Sequence, residues 1–122
     1  MERASFEAMV AKAYDVAAER PFARDRSIVV FRHRENQKWF GVVMTIAKRK
    51  LGICEDGNVD IVNLKCAPEM LDSLWQETGI YPAYHMNRGH WISVTLDGRV
   101  SPDTLRFLLS VSFTLTKASK KR

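Results

Sequence analysis

The segment HWISVTL, His90 to Leu96, alternates strictly, with Trp91, Ser93 and Thr95 on one side and Ile92, Val94 and Leu96 on the other. A two-residue period is that of a β-strand with one face in a core. Asp97-Gly98 then turns the chain. Ser101, Pro102 and Asp103 supply a capping hydroxyl, a proline at the first helical position and an acid at the positive helix end. From there to about Thr116, Leu105, Leu108, Leu109, Ser112 and Phe113 recur at helical spacing. A half-buried strand that turns straight into an amphipathic helix demands a sheet with helices laid on it.

The rest of the chain fits that demand. Phe6, Met9, Val10, Ala13, Tyr14 and Ala17 form an apolar stripe that predicts a helix over 4–19, ended by Pro21. SIVVFRH (27–33) and KWFGVVMTI (38–46) read as strands joined by the short polar turn RENQ, a hairpin. The loop AKRKLGICEDGN contains a brief strand at 51–54 and turns at Asp56-Gly57. VDIVNLKC (59–66) is a strand with Val59, Ile61 and the stem of Asn63 on one side and Val62 and Leu64 on the other, so both its faces are expected to be partly covered. Pro68-Glu69 opens a helix with Met70, Leu71, Leu74 and Trp75 inward, stopped at Gly79. The order α, β, β, β, α, β, α predicts an α+β domain over 1–116, an antiparallel sheet with helices packed on it, followed by a basic C-terminal tail, 117–122.

The 122 residues suffice for one core. A composition of 46% hydrophobic and 27% charged residues is that of a soluble globular protein, and no apolar run reaches the roughly 20 residues of a membrane-spanning helix. The start, MERASFEAMV, lacks the layout of a secretory signal, and Cys54 and Cys66 have no CxxC spacing. A cytoplasmic location is expected. The formal charge of +5 invites a nucleic-acid partner, but four of the 19 Lys and Arg residues (Lys117, Lys120, Lys121 and Arg122) sit in the tail. The remaining 15 face 14 acids, a body near +1.

YHMNRGHW, Tyr84 to Trp91, concentrates the side chains able to do chemistry. A metal site there is disfavoured, because the interval between His85 and His90 crosses a turn rather than one helical face; His33, Cys54 and Cys66 lie elsewhere. Cys66, just before a helix start, is a weak candidate nucleophile that also reads as a buried strand residue. No nucleophile elbow, phosphate loop or carboxylate pair is present. A binding surface made of Lys65, His85, Asn87, Arg88 and His90 suits phosphate and base contacts. Asn87-Arg88-Gly89 is equally good turn chemistry, and Trp91 is equally a cover for the sheet.

VNLKCAPEM followed by TGIYPAYHMNRGHWISVTLDGRVSPDTLRFLLSVSF resembles the MmcQ/YjbR family of small bacterial proteins. Its members share a lysine-bearing strand before Pro-Glu, a P-x-x-H-x-N-K-x-H-W corner, then LDG and a last helix with Ser-Tyr. The likeness runs from Val62 to Phe113, more loosely upstream through KWFGVVM, and covers Lys65, Pro68, Pro82, His85, Asn87, His90, Trp91, Asp97, Gly98 and Ser112. Arg88 stands where lysine is usual, Phe113 where tyrosine is, and Ala67 where an aspartate cap often is. The resemblance implies a CyaY-like two-layer arrangement and a DNA-binding label that is itself an inference from fold. Iron binding does not come with it, since helix 1 offers only Glu7, Asp15 and Glu19 among Lys12 and Arg20.

Two readings of function therefore stand open. The first is a small non-enzymatic DNA-binding protein using Lys65, His85, Asn87, Arg88, His90 and Trp91, with Lys48, Arg49 and Lys50 adding phosphate contacts. The second is a small-molecule or protein-binding pocket at the same corner, walled by Trp91, Tyr84 and Trp39 and anchored by Lys65 and His85. A third, an enzyme with His85 or His90 as general base, has no substrate to name. No cofactor or metal is implied, and a monomer is compatible with either leading reading.

Overall fold

The structure, a computed structural model, describes residues 1–117. The tail expected over 117–122 lies outside the described residues except for Lys117. Helix α1 (Arg3–Tyr14) leads into the hairpin of β1 (Val29–Arg32) and β2 (Trp39–Ala47). A 3-10 turn (Lys48–Leu51) precedes β3 (Asn58–Lys65), and a second (Pro68–Met70) runs into the one-turn helix α2 (Leu71–Leu74). Strands β4 (Ile80–Pro82) and β5 (Trp91–Thr95) and helix α3 (Pro102–Thr116) complete the chain. The strands form one open antiparallel sheet, β1-β2-β3-β5-β4, with the three helices against it. The α+β expectation is met.

The sheet is apolar on both faces. Towards the helices, Val29, Phe31, Val43, Val62, Leu64, Ile92 and Val94 meet Phe6 and Val10 of α1, Leu71 of α2, and Leu105, Leu108 and Leu109 of α3. On the other face Val30, Val42, Met44, Ile46, Val59 and Ile61 form a second cluster, flanked by Ile28, Trp39, Leu51, Tyr84 and Met86. That second cluster draws on strands, loops and a 3-10 turn, not on α1, α2 or α3.

A β-bulge decides what each face receives. Phe31 pairs with Gly41 but Arg32 pairs with Trp39, so Phe40 is an extra residue in β2. Plain alternation would point Trp39 at the helices and Phe40 away from them. The bulge reverses both, putting Phe40 in the helix-side core, 4.9 Å edge-on to Phe113, and Trp39 on the far face. The bulged carbonyl of Phe40 accepts the Ser112 hydroxyl at 2.6 Å, and the Ser112 hydroxyl oxygen in turn accepts the Lys65 N–H at 2.8 Å. Fully buried Ser112 thereby joins α3 to β2 and β3.

Three local expectations change. Helix α1 stops at Tyr14, not near Glu19, because Asp15 takes a left-handed conformation (φ 52°) that closes the last turn on Ala11. The freed chain reaches the edge of β1, where Glu19 and Val30 exchange backbone hydrogen bonds of 3.0 and 2.8 Å. The helix expected from Pro68 to Gly79 shrinks to the 3-10 turn and α2, neither with a side-chain cap, and residues 80–82 form a strand absent from the sequence reading. The brief strand expected at 51–54 is replaced by the end of a 3-10 turn and irregular chain.

Gly79 makes that fourth strand possible. It has φ 90°, its carbonyl accepts the Thr95 N–H at 2.9 Å, and an added Cβ would sit 2.8 Å from Val100 and 3.0 Å from Thr95 Oγ1. Gly57 has a similar φ of 98° with nothing within 4 Å of such a Cβ. Both Gly→Ala changes incur the left-handed penalty of about 1–2 kcal/mol. Gly79→Ala is expected to cost at least about 1 kcal/mol more in urea unfolding, as an overpacked site does. Equal costs for the two would refute the close approach.

Candidate functional site

The corner after β4 is held by buried polar groups. Asn63 of β3 and Ser93 of β5 are register partners, and both are fully buried. The Ser93 hydroxyl donates to Asn63 Oδ1 at 2.5 Å and accepts the Tyr84 N–H at 2.9 Å; Asn63 Nδ2 donates to the Tyr84 carbonyl at 2.9 Å. Both backbone groups of Tyr84 are thus bound to side chains of the sheet. The next residue, His85, is left-handed (φ 59°), a conformation in which non-glycine residues are uncommon and which collects at functional sites. Its ring lies edge-on to Tyr84 with centroids 4.0 Å apart.

This loop forms one wall of a cavity of about 440 Å³ on the sheet face opposite α1, α2 and α3. Val42, Met44 and Ile46 of β2 are its floor, Tyr84, His85 and Met86 one side, and Trp39 and Phe22 another. Phe22 stands perpendicular to Trp39 at 5.8 Å and remains 38% exposed. Ile28 and Asp25 complete the lip. The Ser27 hydroxyl and then the Ser27 N–H, both bonded to Asp25 Oδ1, hold the Asp25 carboxyl below its ordinary range, with Arg3 adding a smaller pull in the same direction. The lining is apolar, with Asp25 and His85 as its polar side chains besides the Tyr84 hydroxyl and Trp39 indole N–H, and the volume falls within the range in which small-molecule pockets occur.

The structure separates the residues singled out from sequence. His85, Tyr84 and Trp39 line the cavity; Trp91 and Lys65 do not. Lys65 and Trp91 face each other across β3 and β5, both half-buried, and Arg88 and His90 are exposed nearby in sequence. Asn87 serves the turn, with Oδ1 accepting the Gly89 N–H at 2.7 Å and its carbonyl accepting those of His90 and Trp91. Arg88 Nε donates to the Ala83 carbonyl at 3.3 Å. Lys48, Arg49 and Lys50 follow the opposite end of β2, on the order of 20 Å away by strand rise. Lys48 is paired with Glu55 at 3.0 Å, and Arg99 lies 3.7 Å from the same carboxylate.

Among the described residues, neither imidazole of the corner has a hydrogen-bond partner to orient it, as a general base would need. Cys66 is buried, and burial pushes its thiol pKa up, the wrong direction for a nucleophile. His33 is buried too, with Nε2 2.8 Å from Thr116 Oγ1 and its pKa lowered by that burial.

The sequence reading missed Phe22, Asp25, Ile28 and Met86 as wall residues and the clamp of Asn63 and Ser93. A signal was present: VDIVNLK and GVVMTI are apolar on both faces, which requires a cover on each. Asn63 and Ser93 interrupt such strands with groups that must find partners once buried.

A family model described as YjbR matches residues 6–115. The uncharacterized protein YyaQ of Bacillus subtilis is 37% identical over 108 residues, 88% of this chain and 92% of its own. The uncharacterized protein YjbR of Escherichia coli is 33% identical over 57 residues, 46% of this chain and 48% of its own. A crystal structure of a Pseudomonas syringae protein superposes with a TM-score of 0.94 at 41% identity, covering 96% of this chain and 100% of its own. One of a Deinococcus radiodurans protein with the DUF419 domain does so with 0.64 at 28% identity, covering 87% and 74%.

The clamp is testable by a double-mutant cycle. Asn63→Ala and Ser93→Ala are each expected to cost about 2 kcal/mol, because each orphans buried groups. Together they should cost about 1 kcal/mol less than the sum, since they break one shared network. Additivity within about 0.3 kcal/mol would contradict a shared clamp.

Proposed function

The chain belongs to the YjbR family, and from that premise and the geometry of the corner we propose that it is a binding protein for a small, largely apolar molecule. The observation that carries this reading is the cavity of about 440 Å³ between Trp39, Phe22 and Tyr84 on the sheet face opposite α1, α2 and α3. A ligand in that space gains by covering apolar surface still in contact with water, such as the exposed ring of Phe22, at roughly 25 cal/mol per Å². Two investments in local structure support the same reading. The bulge at Phe40 sends Trp39 to this face, and the Asn63–Ser93 clamp brings Tyr84 and left-handed His85 to its rim. Filling the floor with Met44→Trp should leave the fold intact, because the new ring enters open space. It should abolish the thermal stabilisation and Trp39 fluorescence change produced by indole-sized aromatic fragments. If no such fragment alters either signal in the parent protein at millimolar concentration, the pocket reading fails.

Nucleic-acid binding is the second reading, supported by Arg88 and His90 exposed beside Lys65 and Trp91 at one end of the sheet, and by exposed Arg49 and Lys50 at the other. Ion pairing of Lys48 and the turn role of Asn87 leave it fewer free contacts than the sequence suggested. It requires affinity for duplex or single-stranded DNA that falls with salt, and a slope of log K on log salt reduced by about 2 in the Lys65→Gln, Arg88→Gln double variant. Absence of binding at about 20 mM salt would dismiss it.

A further inference from the structure

We infer that the cavity selects an organic cation, an ammonium carried on an aromatic or branched aliphatic body, over a neutral or anionic molecule of the same shape. This rests on the pocket reading above and adds the charge of its ligand. Three aromatic rings, Phe22, Trp39 and Tyr84, and two polarisable thioethers, Met44 and Met86, surround one space. Aromatic faces carry the negative part of the ring quadrupole, and several faces round one cavity are how quaternary and protonated amines are held. The lip adds a full negative charge. Asp25 Oδ1 is taken by the Ser27 N–H at 3.0 Å and the Ser27 hydroxyl at 2.5 Å, and among the described residues Oδ2 has no protein partner. Those bonds favour the carboxylate over the acid, so the charge is present at neutral pH.

The absence of competing cations is as informative. The chain has 19 Lys and Arg and a formal charge of +5, yet among the described residues no Lys or Arg lines this cavity. Among the described residues Asp25 is its one fully charged side chain, and the imidazole of His85 also lines it. Arg24, beside Asp25 in sequence, is exposed and does not line the cavity, and three other basic neighbours are turned to other work. Arg26 donates to the Arg20 carbonyl at 2.9 Å, and Arg20 to the Arg26 carbonyl at 2.5 Å, so these guanidiniums brace the loop carrying Phe22 and Asp25. Arg3 donates to the Ser27 carbonyl and to Thr45. An anion entering the space would meet aromatic rings and the Asp25 carboxylate with no lining Lys or Arg among the described residues, so electrostatic complementarity selects against it.

The test uses one body with three charges: 2-phenylethylammonium, 2-phenylethanol and phenylacetate, titrated into the whole protein at one pH and ionic strength, with Trp39 fluorescence and calorimetry as readouts. The ammonium should bind roughly tenfold tighter than the alcohol, with the carboxylate weakest. In Asp25→Asn the advantage of the ammonium over the alcohol should fall to about threefold or less, leaving the share due to the rings. Trp39→Leu should remove most of that remainder. Equal binding of ammonium and alcohol, or preference for phenylacetate, overturns the inference about charge while the pocket reading stands. Failure of all three to perturb Trp39 overturns both.

Discussion

A single hydroxyl, that of Ser112, lets the strand hairpin carry its irregularity. A β-bulge leaves a carbonyl outside the ladder, and buried in an apolar core that group would cost about 1–3 kcal/mol unpaired. Ser112 donates to this carbonyl of Phe40 and accepts the last N–H of β3 from Lys65. Helix α3 therefore does more than cover the sheet; it completes the hydrogen bonding of two strands at the point where β2 is out of register. With the bulge satisfied, Phe40 packs among Tyr14, His33 and Phe113, and Trp39 is released to the opposite face.

That release links the core to the cavity. One wall of the cavity exists because of the bulge, and the other because Asn63 and Ser93 bind both backbone groups of Tyr84. Both devices place polar atoms in buried strands, where each must be fully matched, and both are matched. The strained geometry of His85 sits at the junction of the clamp and the asparagine turn, which over-determine its backbone. The fold thus holds in place the two sides of a cavity whose floor is the buried residues Val42, Met44 and Ile46.

Much of this was legible in the residues. The alternation of β5, the capped start of α3 and the two-sided hydrophobicity of β3 each follow from local rules, and Ser101 does cap α3 by accepting the Thr104 N–H at 3.2 Å. The early end of α1 was hidden because its cause, the left-handed turn at Asp15 and the pairing of Glu19 with Val30, is tertiary. Strand β4 is three residues long and ends in proline, too short to show a period. At the site, of the cluster of His, Asn, Arg and Trp only His85 lines the cavity. Composition drew attention to the exposed cations, whereas the cavity is built from Trp39, Tyr84 and apolar residues brought from β2 and the loop before β1. A bulge of one residue decides which way Trp39 points, and no alternation pattern reveals it.

The five methionines offer the most direct measurement of the central claim. Met44 and Met86 line the cavity, while Met9 and Met70 pack on the helix side of the sheet. In the protein labelled with 13C at the methionine methyls, titration with small aromatic amines is followed by NMR. The account expects the Met44 and Met86 resonances to shift with saturable dependence while those of Met9 and Met70 stay in place. Shifts of all four alike, or none at Met44 and Met86, would contradict it.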